Sequence, residues 1–127
     1  MTDTFLRWRV WWLGLGWLMV AALVYVCLMP NPPEPVSFPF VDKAEHAGSF
    51  AWLSWWFLQI VARPRRLHAA AALMLLGVGI EIAQAFTPTR DFEVADMAAD
   101  GVGIALGALL ARTRLGTVLA GIERRLA

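Results

Sequence analysis

The chain has 127 residues, of which 59% are apolar, a mean hydropathy of +0.59 and a net charge of +1. A soluble domain is usually closer to half apolar, so the composition points to an integral membrane protein. The near-neutral charge, with no basic stripe, excludes a nucleic-acid partner. Cys27 is the only cysteine, so no intrachain disulfide can form, and it reads as small apolar filler.

The first element is the uncharged run Val10–Met29, long enough to cross about 30 Å of hydrocarbon. Arg7 and Arg9 precede it, as in a signal peptide. The run is longer than a usual signal core and no A-x-A site closes it, so an uncleaved span is expected. Pro30, Pro32, Pro33 and Pro35 then predict an extended linker to about Pro39.

The second span, 42–62, opens on the polar residues Asp42, Lys43, Glu45 and His46. Arg63, Arg65 and Arg66 surround Pro64 in a basic turn. The third span, 67–86, is uncharged until Glu81. Pro88 breaks the chain before the fourth span, 95–111, which is rich in Gly and Ala. The tail, 112–127, is amphipathic, with Leu115, Val118, Leu119, Ile122 and Leu126 at helical spacing. Three readings of the tail stay open: on the membrane surface, as an extension of the fourth helix, or as a solvated helical end. The tryptophans are expected at the interface or facing lipid.

This defines an all-α polytopic membrane protein, a four-transmembrane-helix bundle forming one domain over 1–127. In that arrangement every basic residue except Lys43 and Arg90 falls on one side, which puts both termini in the cytoplasm by the positive-inside rule. The expected location is the bacterial inner membrane, and the lipid bilayer is the first partner. A homo-oligomer is left open.

Polar residues fall into helical stripes. Asp42, His46 and Ser49 share one face, as do Gly77, Glu81 and Gln84, and Asp96, Asp100, Gly103 and Gly107. Gly103 and Gly107 have the small-xxx-small spacing of close helix packing. The stripes are expected to face one another, with aromatics and leucines facing lipid. A rise of 1.5 Å per residue puts His46 and Asp100 about 6 Å inside Asp42 and Asp96, and Glu81 roughly 7–8 Å in from Phe86. All converge near the outer leaflet. A central intramembrane carboxylate costs on the order of 2.5–3.5 kcal/mol, so such groups need partners or a function. The candidate cluster is Asp42, Lys43, His46, Glu81, Gln84, Arg90, Asp96 and Asp100.

Each member has a structural and a functional reading. His46 with Asp42 is a helix-start pair, a proton carrier or a ligand-binding group, with a metal ligand the least favoured. Glu81 with Gln84 is an interhelical clasp or a working carboxyl. Lys43 and Arg90 neutralise nearby acids or hold an anionic group. Asp96 and Asp100 repel each other unless a proton or a cation intervenes. No metal and no cofactor is expected.

The ordered set Asp42-Lys43-x-x-His46, Glu81-x-x-Gln84, Pro88-x-Arg90 and Asp96-x-x-x-Asp100-x-x-Gly103 resembles the VanZ-like family of small integral membrane proteins. The resemblance runs from about 42 to 107. One departure is Asp100, where the family often has Asn. The resemblance implies a cell-envelope role, and the family's namesake is associated with low-level resistance to the glycopeptide teicoplanin.

Three functions remain at this level. One is a non-enzymatic protein whose polar pocket binds a lipid head group, a lipid-linked envelope precursor or a partner, and it is preferred. Another is an intramembrane enzyme on such a lipid, using Glu81 or Asp100 as acid or base and His46 oriented by Asp42. Against it, there is no phosphate loop, no HExxH and no activated nucleophile. The last is an ion-coupled carrier, which four short spans without an inverted repeat support poorly.

Overall fold

The computed structural model describes residues 5–30, 40–88 and 92–127. Arg90 and most of the proline linker lie outside these. The described residues form five α-helices: α1 (Arg9–Leu28), α2 (Val41–Leu58), α3 (Arg66–Ala85), α4 (Val94–Ala111) and α5 (Val118–Leu126). Single 3-10 turns, Arg63–Arg65 and Arg114–Thr117, precede α3 and α5. Among the described residues, three stretches are long and apolar enough to cross a membrane: Arg9–Leu28, Arg63–Ala85 and Val94–Ala111. α2 has comparable length, but Asp42, Lys43, Glu45 and His46 occupy its first turns and lower its apolarity.

Cross-helix contacts give the directions. Trp12 meets Trp56 and Met19 meets Trp52, so α1 and α2 are antiparallel. Cys27 of α1 meets Gln84 of α3, and both residues lie near their helix ends, so those helices run the same way. His46 meets Asp100 and Ser54 meets Ile104, so α2 and α4 are also parallel. The bundle therefore alternates, with the start of α2, the end of α3 and the start of α4 gathered at one end.

The closest pair is α2 with α4. A Cβ on Gly103 would collide with the backbone carbonyl of Ala47, and one on Gly107 with that of Ala51. Glycine lets the two backbones touch, the function expected of small-xxx-small spacing. Ser54, fully buried, donates from Oγ to the Ile104 carbonyl at 2.9 Å. Phe50, Leu53, Phe57, Ile80 and Ile104 fill the centre.

Two expectations need correction. Not all aromatics and leucines face outward, since Phe50 and Leu53 are core residues. Nor are all tryptophans interfacial. Trp11 and Trp17 are exposed, but Trp56 is buried and packs edge-on against Trp12, with ring centroids 5.8 Å apart. Its indole donates to the Trp12 carbonyl at 3.0 Å. An indole N–H needs a partner when buried, and the neighbouring helix supplies it.

The tail does not extend α4. A turn at Arg112–Thr117 separates it, and α5 folds back with Leu119, Ala120 and Glu123 buried. Gln59 links the two ends. Its Nε2 donates to the Trp55 carbonyl at 3.2 Å, and its Oε1 accepts the Leu119 N–H at 2.9 Å.

Candidate functional site

α2 and α4 each bring an i, i+4 pair to the same end of the bundle: Asp42 and His46 from one, Asp96 and Asp100 from the other. Because the helices are parallel and touching, the pairs lie side by side. An acidic residue in the first turn also suits the positive end of a helix dipole, and Asp42 and Asp96 hold those positions.

The cluster runs inward from an open mouth. Asp42 and Glu93 are about half exposed at 47% and 45%, and Lys43 is at 28%. Below them Asp96 and His46 are buried, and Asp100 and Glu81 are fully enclosed. Lys43 Nζ binds Asp42 Oδ2 at 3.2 Å, Asp96 Oδ1 at 2.5 Å and Glu93 Oε2. His46 Nδ1 lies 2.8 Å from Asp100 Oδ1. His46 Nε2 is 3.8 Å from Asp42 Oδ1 and 3.6 Å from Asp96 Oδ2, beyond hydrogen-bond range.

The partner orienting His46 is therefore Asp100, and Asp42 only flanks it. Asp96 and Asp100 each have a partner of their own, Lys43 for the first and His46 for the second. Lys43 acts as a neutraliser, with three carboxylates around one ammonium.

Glu81 and Gln84 occupy the expected face of α3 but do not pair with each other. Glu81 Oε1 accepts the Glu93 N–H at 2.6 Å, at the residue that starts α4. Gln84 Nε2 donates to the Cys27 carbonyl at 2.9 Å, at the end of α1. Both residues tie α3 to a neighbour. Among the described residues, Glu81 Oε2 and Asp100 Oδ2 are buried without a hydrogen-bond partner. Gly77 makes room for the second of these, since a Cβ there would stand 2.6 Å from Asp100 Oδ2. Ser49 instead lines a groove towards α1 with Met19, Leu23 and Trp52.

One residue of the site escaped the sequence reading: Ser54 lies two turns beyond His46, on the same stripe, and that spacing was available. Glu93 was among the acids expected to be neutralised by Lys43 or Arg90, and it accepts from Lys43.

Fold and site together define a small helical membrane protein with a polar cluster at one end of an apolar bundle. A family model described as VanZ/LLP1 matches residues 9–116, and the chain belongs to that family. No significant match was found among curated proteins or among solved structures.

Proposed function

We propose that this protein crosses the bacterial inner membrane four times, with both termini in the cytoplasm. Its polar cluster then lies near the outer leaflet and binds the head group of a lipid or lipid-linked envelope precursor. The alternation of the helices and the basic residues at the opposite end support the topology. α2 supplies the fourth crossing, its polar turns satisfied by Glu93, Asp96 and Asp100 at the start of α4.

One observation carries the binding role. Asp42, Glu81, Glu93, Asp96 and Asp100 converge at one end of an apolar bundle, and two of their buried oxygens have no hydrogen bond among the described residues. Buried polar atoms are normally satisfied, and intramembrane carboxylates are functional candidates by default. The excess of acceptors suits a head group rich in O–H or N–H donors, such as a sugar or an amine. An effect on glycopeptide susceptibility would follow if that head group belongs to a cell-wall precursor.

Mass spectrometry of lipids retained by the detergent-purified protein tests this reading. His46→Ala and Glu81→Gln should leave an inserted, helical protein that has lost the retained lipid. Wild-type protein that holds no lipid selectively would defeat the proposal. A reporter fused after Ala127 should be active only on the cytoplasmic side.

A second reading, acid–base chemistry on a lipid-linked substrate, draws on the Asp100–His46 contact, which aims Nε2 at the mouth. Turnover of a radiolabelled lipid-linked precursor by purified protein would establish it.

A further inference from the structure

Lys43 and His46 use opposite edges of the same two carboxylates. Lys43 takes Asp42 Oδ2 and Asp96 Oδ1. The other two oxygens, Asp42 Oδ1 and Asp96 Oδ2, face His46 Nε2. One nitrogen and two oxygens thus surround a common point, all within 4.8 Å of one another. Separations of 3.6 and 3.8 Å are too long for hydrogen bonds. They are close to the spacing of ligands around a divalent ion. Bonds of about 2.0–2.2 Å at tetrahedral angles put neighbouring ligand atoms roughly 3.3–3.6 Å apart.

The imidazole supplies an independent observation. His46 is nine-tenths buried at 8% exposure, and Nε2 makes no hydrogen bond among the described residues. Its other nitrogen is held by Asp100 Oδ1 at 2.8 Å. A metal-ligating histidine usually donates its second N–H to a carboxylate, which fixes the tautomer and turns the remaining lone pair towards the ion. Asp100 also adds a charge that makes the imidazole a stronger ligand.

We propose that Asp42, His46 and Asp96 bind a divalent transition ion of the zinc class, with Asp100 orienting His46. This goes beyond the head-group reading and does not depend on it. The mixed nitrogen and oxygen donors suit zinc, cobalt, manganese or iron better than calcium or magnesium. Three protein ligands leave a coordination position open. Asp42 is the most exposed ligand, so that position faces the mouth, where water or an oxygen of a bound molecule can enter. Lys43 then steadies the ligands from outside. With Nε2 committed to the ion, His46 is no longer a proton carrier, and any chemistry at the site becomes that of a Lewis acid.

The test uses full-length protein in detergent micelles, stripped with a chelator and titrated with Co2+. The ligand-field bands report nitrogen and oxygen coordination, and Zn2+ should bleach them. Wild-type protein should bind at a single saturable site. Asp42→Asn and His46→Gln should each weaken binding by at least about tenfold, and Asp100→Asn by roughly 10–100-fold. Asp42→Asn is nearly isosteric at a half-exposed position, so it reports on the site even if His46→Gln fails to fold. Absence of saturable Co2+ binding in folded wild-type protein would overturn the proposal. So would binding left unchanged by Asp42→Asn.

Discussion

Glu123 holds Trp12. Its Oε1 accepts the indole N–H at 2.7 Å and the Trp8 backbone N–H at the same distance, while Oε2 accepts the Arg7 N–H at 2.8 Å. A helix start leaves N–H groups without partners inside the helix. Here a carboxylate more than a hundred residues away along the chain satisfies two backbone donors beside α1 and locks α5 against it.

That carboxylate makes the lock acid-sensitive. Desolvation is the largest single influence on Glu123 and pushes its pKa up. The hydrogen bonds from Trp8, Trp12 and Arg7, with the charge of Arg7, together outweigh it and hold the group below its ordinary value of 4.5. A carboxyl depressed in the folded state contributes stability that is present above the unfolded value and lost as pH falls through the folded one. The Trp12 indole N–H resonance should therefore shift as the solution is acidified below the ordinary carboxylate range. In Glu123→Gln that titration should vanish, with α5 already loosened at neutral pH. An unchanged acid titration in the variant would remove Glu123 from this role.

Gly103→Ala should separate α2 from α4. The added methyl meets the Ala47 backbone carbonyl, and backbone in a packed helix moves less readily than a side chain. Overpacking of this kind costs about 1–3 kcal/mol. Gly79→Ala is the control, because nothing lies within 4 Å of its added methyl, and it should stay within about 0.5 kcal/mol of wild type. Unfolding midpoints in mixed detergent and sodium dodecyl sulfate would compare the two.

Ser54→Ala removes the hydroxyl that bridges α2 to the Ile104 carbonyl. Side-chain hydrogen bonds between membrane helices average about 0.6 kcal/mol. The same unfolding measurement should show a loss of that order, clearly smaller than that of Gly103→Ala. A larger loss would mean that the hydroxyl satisfies more than this one carbonyl.

Glu81→Gln and Glu81→Ala should part company. The glutamine oxygen can still accept the Glu93 N–H, and the buried charge is gone, so stability should be equal to or above wild type. Alanine leaves that N–H without its acceptor and should cost about 1–3 kcal/mol. If Glu81 serves only to start α4, the glutamine variant will also keep every phenotype. If the charge is used, the phenotype will fail while stability holds.

The sequence carries the stripes of α3 and α4 plainly, because Gly77, Glu81 and Gln84, and Asp96, Asp100, Gly103 and Gly107, all lie on buried faces. Their partners were less visible. Pairing His46 with Asp42 looks natural at i, i+4, but Asp100 prevails because two glycines bring α4 into backbone contact with α2. The turn after α4 hid the tail in the same way. Leu119 looks like one apolar residue in an amphipathic stretch until Gln59 is seen to accept its N–H. Trp56 was misplaced because composition places indoles at an interface or facing lipid, whereas this one is buried and finds its acceptor on α1. Helical periodicity gives each helix its inward face, but not which inward faces meet.

The parallel contact of α2 with α4 also bears on how the protein is made. Lys43 and His46 leave the ribosome well before Glu93, Asp96 and Asp100, and all of α3 is synthesised in between. If α2 crosses the bilayer as proposed, its first turns lack during that interval the α4 partners Glu93, Asp96 and Asp100 that make them tolerable in hydrocarbon. Its integration should be completed only when α4 arrives, so a nascent chain arrested after Ala85 should leave α2 weakly inserted and open to alkaline extraction. The polar cluster would then serve first as a checkpoint in biogenesis, admitting α2 to the bilayer only after the helix that shares its charges is in place.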